Sequence, residues 1–251
     1  MLSAKYDMLY PPLIERILAE EFGKKDPKKA AKTRLHQMFG AYLCGNAHKK
    51  AARLLKDAPT LLSLHASTKE RLPHFENFYE FIATQVCVSG GVKIISDLGC
   101  GFNPFALPLM PAVLTENLAE YHAWDIDIRT RDLLNVYFAE MLLPQSAKCA
   151  DLAVETPCEA SDVTFMLKLI PVLEAQIAGR GFALANAQNT QFLVVTYPTK
   201  SLGGREKGME KNYAAAFENA YASGGLSNFR LIANEKIGNE LVYVLRSAVR
   251  R

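Results

Sequence analysis

The hydrophobic period of this chain changes at Ser89-Gly90-Gly91, and that change limits the folds open to it. Before it, apolar residues recur at helical spacing. After it, short apolar runs alternate with helical segments, and "VKIISDLG", "YHAWDID", "AKCADL", "DVTFMLKLI" and "QFLVVTYPT" read as strands. "RTRDLLNVYFAEML", "PVLEAQIAGRGFALANAQ" and "GMEKNYAAAFENAYA" read as helices between or after them. Strands joined by helical crossovers pair in parallel, and the right-handed crossover rule winds them into a doubly wound sheet. "NFRLIANEKIG" and "ELVYVLRS" end the chain as a hairpin, which adds antiparallel strands. The expected fold is α/β: a mostly parallel seven-stranded sheet over 89–251, preceded by an all-helical N-terminal domain over 1–88.

In that helical part, "PPLIERILAEEF" sets Leu13, Ile14, Ile17, Leu18 and Phe22 on one stripe, with Pro11 and Pro12 at the helix entry. "DPKKAAKTRLHQMFGAYL" predicts a helix restarting after Asp26, and "AHKKAARLLKD" a third. "PTLLSLHASTKERLPHFENFYEFIATQV" adds one or two more, with Ser67 and Glu70 spaced as a capping box. Residues 24–56 carry Lys24, Lys25, Lys28, Lys29, Lys32, Arg34, Lys49, Lys50, Arg53 and Lys56 against Asp26 alone. So one-sided a balance points to a polyanion, since each Lys or Arg on a phosphate releases a counterion. These side chains would position a nucleic acid rather than read it.

Several classes are excluded by what is missing. No apolar run approaches the roughly 20 residues of a membrane span, and the N-terminus lacks a signal peptide's basic start and apolar stretch. A cytoplasmic location is expected. Five scattered cysteines form no C-x-x-C pair and suit reduced, mostly buried thiols rather than zinc. There is no H-E-x-x-H, G-x-S-x-G or G-K-[ST], so zinc hydrolase, serine hydrolase and P-loop chemistry lack their motifs.

The turn "DLGCGFNP" (97–104) follows the first strand. Asp97 ends the strand, and Gly99 and Gly101 let backbone approach a ligand closely. Asn103 is placed to cap the next helix with Pro104 as its first residue, where a dinucleotide fingerprint wants a third glycine. Asp125 ends the second strand, placed to accept hydrogen bonds from ribose hydroxyls; Asp151 follows the third, within reach of an adenine amine. Asp127 reads as a helix cap. Acidic residues after three successive strands, without a pyrophosphate-binding feature, fit S-adenosylmethionine better than NAD.

The blocks "TRLHQMFGAYL", "LSLHASTKER", "DLGCGFNPFAL", "MLKLIPVLE", "YPTKSLGGREKGMEKNY" and "IGNELVYVL" closely resemble the aminoglycoside-resistance 16S rRNA (guanine-N7) methyltransferases, in the family's order, over about residues 11 to 245. The resemblance implies a class I (Rossmann-like) S-adenosylmethionine-dependent methyltransferase. Its implied reaction is methylation of N7 of guanine 1405 in the assembled 30S subunit, which blocks 4,6-disubstituted deoxystreptamine antibiotics. It implies that His65, Ala66, Ser67 and Arg71 line the cofactor pocket, Arg71 pairing its fork with the methionine carboxylate. Gly99 and Gly101 would pass beside the methionine, Asp125 would hold the ribose, and Asp151 with Leu152 would flank adenine. Leu167 and Gln176 would complete the pocket and Phe39 close it; an exposed helix position for Gln176 and a core position for Phe39 are equal alternatives.

Guanine N7 carries a lone pair and no proton, so no general base is required. Candidates to hold the base are Tyr197, Pro198, Lys200, Arg205 and Lys207, while Lys168 could face either cofactor or RNA. A monomer without metal or membrane contact is expected. The alternatives are a small-molecule methyltransferase with the same cofactor and a non-catalytic 30S-binding assembly factor.

Overall fold

The computed structural model describes residues 6–40, 42, 46–200 and 208–248. The helical segment contains α1 (Pro11–Glu21), α2 (Pro27–Leu35), α3 (Ala47–Ala51), α4 (Ala58–Ser63), α5 (Ala66–Arg71) and α6 (Phe75–Gln85). The expected prolines start α1, and Asp26 caps α2 by accepting from the Lys29 amide at 3.0 Å. The helix expected to run on from α2 instead opens into a π turn at His36–Gly40. That wider turn re-aims Phe39 into a cluster with Leu9, Leu13, Ile17 and Leu35, and Met38 toward the cavity described below.

The helix expected over "AHKKAARLLKD" stops at Ala51. Arg53 and Leu54 close three-residue turns onto Lys50 and Ala51, while Asp57 turns forward to cap α4 through the Thr60 amide. Ser67 does not cap α5: the cap position is His65, and Ser67 is the second helical residue.

The sheet holds β1 (Ile94–Leu98), β2 (Glu120–Asp125), β3 (Lys148–Cys149), β4 (Ser161–Leu167), β5 (Thr190–Pro198), β6 (Phe229–Ile237) and β7 (Glu240–Ser247). Its order is β3-β2-β1-β4-β5-β7-β6, with β1 to β5 parallel and β7 antiparallel to both neighbours. This is the expected seven-stranded arrangement. α7 (Ala112–Thr115), α8 (Ile128–Glu140), α9 (Leu169–Glu174), α10 (Arg180–Asn186) and α11 (Met209–Ala222) complete the chain. Strand order reverses between β1 and β4, so a crevice opens beyond their carboxyl ends.

Apolar residues cover both sheet faces. On one, Phe78, Tyr79 and Ile82 of α6 and Leu61 and Leu62 of α4 share a cluster with Ile95, Phe105, Phe165 and Val244. The core is therefore continuous across residue 88, although the pattern changes from helix to strand there. On the other face, Met166, Leu184, Leu193, Tyr197 and Phe217 pack together.

After β1 the chain enters a 3₁₀ helix, Asn103–Leu109, rather than the α-helix expected from residue 104. In an α-helix the Pro108 ring would clash with the carbonyl four residues earlier, which disfavours that form here. Asn103 does not cap it. Its amide donates to Asp97 at 2.8 Å and accepts from Tyr79 at 2.6 Å and Arg71 at 3.1 Å, all four groups being buried. Tyr121 donates to the same Asp97 oxygen at 2.7 Å. Asp97 is thus a structural anchor under the turn through Oδ2, while its buried Oδ1 has no hydrogen-bond partner among the described residues.

Of the described cysteines only Cys100 is buried; Cys87 and Cys158 are exposed, correcting the expectation of mostly buried thiols. No helix among the described residues is long and apolar enough to cross a membrane. Asn103→Ala should cost roughly 3 kcal/mol by stranding buried polar partners, lowering the calorimetric Tm by roughly 6–12 °C.

Candidate active site

The crevice between β1 and β4 is a cavity lined by five segments: the π turn, α5, the glycine turn, the ends of β2 and β3, and the β4–α9 junction. At its floor Gly99 has φ 68° and Gly101 φ 50°. A Cβ on Gly99 would lie 2.9 Å from Leu169 Cδ1, and one on Gly101 would lie 2.7 Å from His65 Nε2. Both positions therefore demand glycine by conformation and by space.

Asp125 stands at the end of β2 in the cavity wall. Oδ2 accepts from the Gly101 amide at 2.9 Å and Oδ1 from the Asp127 amide at 2.8 Å. Burial raises its pKa to about 6 against the opposing backbone bonds. Each oxygen keeps a lone pair for a ligand hydroxyl. Asp127 caps α8, accepting from the Arg129 amide at 2.9 Å, as its position suggested.

His65 lies between the rings of Tyr42 and Phe102, with centroids at 5.7 and 5.6 Å. Burial, helped by the charges of Arg71 and Lys168, lowers its pKa to about 3, so the imidazole is neutral. Its buried Nδ1 has no hydrogen-bond partner among the described residues. Ser67, Leu152, Leu167, Gln176 and Phe39 line the cavity, whereas Ala66 does not, and that expectation is corrected. Ala66 opens α5, and its amide donates to the Tyr42 carbonyl at 2.9 Å.

Arg71 reaches the cavity, but one edge of its fork is taken. Nε and Nη2 each donate to the Glu240 carboxylate at 3.0 Å, and Nη1 donates to Asn103. Glu240 thus occupies the Nε–Nη2 edge of the fork, and one hydrogen on each of Nη1 and Nη2 remains for a ligand. Glu240 also accepts from Thr196 at 2.8 Å. Burial alone would raise the Glu240 pKa, yet Arg71 and Lys168 together hold it below its ordinary value. Lys168 adopts φ 58° directly after β4, and its Nζ donates to Glu70 at 2.8 Å.

Asp151 is likewise engaged. Arg16 of α1 binds it with Nε–Oδ2 2.6 Å and Nη2–Oδ1 3.1 Å, and Nη2 also reaches Gln176 Oε1 at 3.0 Å. Arg16 thereby pins α1 across the mouth of the adenine end expected for Asp151. Arg16 carries no sequence motif, and Glu240 lies within the block "IGNELVYVL"; neither is among the candidates named from the sequence.

A second cavity adjoins the first and shares Met38, Tyr42, Lys168, Val172 and Gln176 with it; Glu70, Pro198, Lys200 and Tyr213 line only the second. Pro198 and Lys200 thus fall where a base could enter. Tyr197 does not: it is buried against Tyr213, Phe217 and Tyr243, which corrects its candidacy. Arg205 and Lys207 lie outside the described residues.

Among the basic helices Lys25, Lys28, Lys29, Lys32, Lys49, Lys50 and Arg53 are exposed. Lys24 pairs with Glu21, and Arg34 with Glu20 and Glu21, which reduces the free positive charge there. No group of three metal-ligating side chains occurs among the described residues.

A mostly parallel sheet with this strand order and an antiparallel terminal hairpin, clearance for a ligand at two glycines, and a carboxylate ending β2 define an S-adenosylmethionine-dependent methyltransferase. A proline-started 3₁₀ helix takes the place of the helix N-terminus a pyrophosphate would need. The residues fit the cofactor: Asp125 would hold the ribose, Leu152 and Leu173 would flank the purine, and Gly99 and Gly101 would clear the methionine chain.

The family model described as ribosomal RNA methyltransferase (FmrO) matches residues 2–244. The chain belongs to that family. A 16S rRNA (guanine(1405)-N(7))-methyltransferase of Serratia marcescens is 39% identical, covering 97% of this chain and 94% of its own length. One of Micromonospora rosea is 33% identical over 97% and 92%. The structure of the 16S rRNA methyltransferase RmtF in complex with S-adenosyl-L-homocysteine superposes with TM-score 0.85 and 34% identity, covering 98% of this chain and 95% of that one.

Because only the ionised Asp125 accepts from both ribose hydroxyls, S-adenosylhomocysteine affinity should fall about tenfold per pH unit below about 6 and level off above it. Calorimetric titration across that range checks this, and Asp125→Asn should bind weakly with the slope removed.

Proposed function

We propose that this chain transfers the methyl group of S-adenosylmethionine to N7 of guanine 1405 of 16S rRNA within the assembled 30S subunit, and so confers resistance to 4,6-disubstituted deoxystreptamine aminoglycosides. One observation carries the reading: two cavities meet at the carboxyl end of β4, one fitted to the cofactor and one open to a base. The relatives named for this reaction match the chain nearly end to end, which supports the choice of guanine.

The cofactor supplies an electrophilic methyl on a sulfonium. Guanine N7 already offers an in-plane lone pair, so the chain has no proton to remove and its work is placement. The glycine turn and Asp125 set the depth of the cofactor. Lys168, Tyr42 and Met38 mark the passage between donor and acceptor. The base must leave its helix to enter, and Pro198, Lys200 and Tyr213 would receive it.

Lys25, Lys28, Lys29, Lys32, Lys49, Lys50 and Arg53 would lie on rRNA phosphates, with a cytoplasmic monomer acting on the subunit's shape. Lys24 and Arg34 would contribute less, being paired within the chain. Incubation with labelled S-adenosylmethionine and 30S subunits, followed by N7-specific strand cleavage, should map the label to one guanine. Label confined to free tRNA or to small molecules would overturn the reading. Replacing Lys28, Lys29 and Lys32 with Gln should weaken 30S binding and reduce its salt slope by roughly 2 to 3, at somewhat under one unit per lost phosphate contact.

A further inference from the structure

We propose that the Lys168–Glu70 ion pair is the device that selects guanine, with Lys168 donating to O6 and Glu70 accepting from N1–H and the N2 amine. The inference rests on the guanine-N7 reading above and assigns the groups that read the base. N7 must stay bare to attack the methyl group, so recognition has to come from the rest of the base edge. Passing round guanine from N7, that edge presents an acceptor at O6, then donors at N1 and N2. Adenine presents the reverse order, a donor at N6 and then an acceptor at N1.

The cavity walls run in the matching sequence. Lys168 lines both the cofactor cavity and its neighbour, whereas Glu70 lines only the neighbour. Moving away from the methyl-donor site, the wall therefore offers a cation first and a carboxylate next. Glu70 is the one carboxylate among the described residues of the second cavity.

The pair is held ready for this task. Lys168 leaves β4 with φ 58°, its amide donating to Thr196 Oγ1 at 3.0 Å, which fixes where its stem begins. Its Nζ lies 2.8 Å from Glu70 Oε2 and 3.5 Å from Glu240 Oε1. Three ammonium hydrogens face two carboxylates, so one remains for O6. On Glu70, Oε1 carries no hydrogen bond to any described residue, and the side chain is 28% exposed, toward the cavity that would admit the base. A carboxylate suits guanine's two adjacent donors, and opposes the bare N1 of adenine with like polarity.

The test uses full-length enzyme and 30S subunits whose 16S rRNA carries guanine, inosine or 2-aminopurine at the target position. All three retain N7; inosine lacks the N2 amine, and 2-aminopurine lacks O6 and N1–H. Wild-type single-turnover methylation should slow about tenfold on inosine and about a hundredfold on 2-aminopurine, as expected for one and two lost base contacts. Glu70→Gln should lose about 10- to 100-fold on guanine while its affinities for 30S subunits and S-adenosylhomocysteine stay within about twofold. Its discrimination between guanine and 2-aminopurine should shrink by about the same factor. Equal losses on all three bases, or a wild-type rate on guanine, would overturn the assignment. If Glu70→Gln folds poorly, the wild-type series decides alone: equal rates on guanine and 2-aminopurine would refute it. Failure of the wild type to label even the guanine-bearing subunit would instead refute the underlying reading.

Discussion

The site depends on the buried contact between Arg71 and Glu240. A guanidinium and a carboxylate, each almost wholly removed from water, meet through two hydrogen bonds, and the Arg71 plane lies 4.4 Å over the Phe78 ring. Burying two such charges is costly, and the cost is offset because each of the three guanidinium nitrogens has a partner. Removing either partner would leave a bare charge in the core. The pair joins α5, 169 residues earlier in the chain, to β7 at the far end, and Glu240 then steers Lys168 at the end of β4. Three distant segments are thus brought to one point beside the cofactor cavity.

That arrangement explains why the helical segment is not an appendage. α4 and α6 bury their apolar faces on the sheet, and α5 sends Arg71, Thr68 and His65 inward. α1 reaches further through Arg16, which bridges Asp151 and Gln176. The exposed basic residues of α2 and α3 and the cavity wall of the π turn and α5 therefore lie on neighbouring elements of one segment. Short connections rather than a long linker join those elements.

Much of the architecture was legible in the residues. The strand–turn–helix alternation, the terminal hairpin and the glycine turn with Asp125 all emerged where period and turn chemistry placed them. The misplaced features share a cause. Ser67 has the spacing of a helix cap, yet the packing of His65 between Tyr42 and Phe102 starts α5 at Ala66. Asn103 has the propensity of a cap, yet buried Asp97, Tyr79 and Arg71 claim its amide. Asp97 resembles a cofactor ligand by position, and tertiary hydrogen bonds from Asn103 and Tyr121 engage one of its two oxygens. Local preference lost wherever a buried polar partner from a distant segment needed satisfaction.

The sequence alone determined the class of fold, the turn that clears a ligand, and the carboxylate at the end of β2, because these follow from short-range periodicity and backbone conformation. Its resemblance to a known family also carried the choice of base. Only the tertiary structure decided which charges are spent on one another. Arg71 faces Glu240, Asp151 faces Arg16, and Lys168 stands between two carboxylates at the meeting of two cavities. Such pairings link residues from distant parts of the chain, 98 positions apart for Lys168 and Glu70 and 169 for Arg71 and Glu240, and desolvation, which no local pattern records, makes each pairing compulsory.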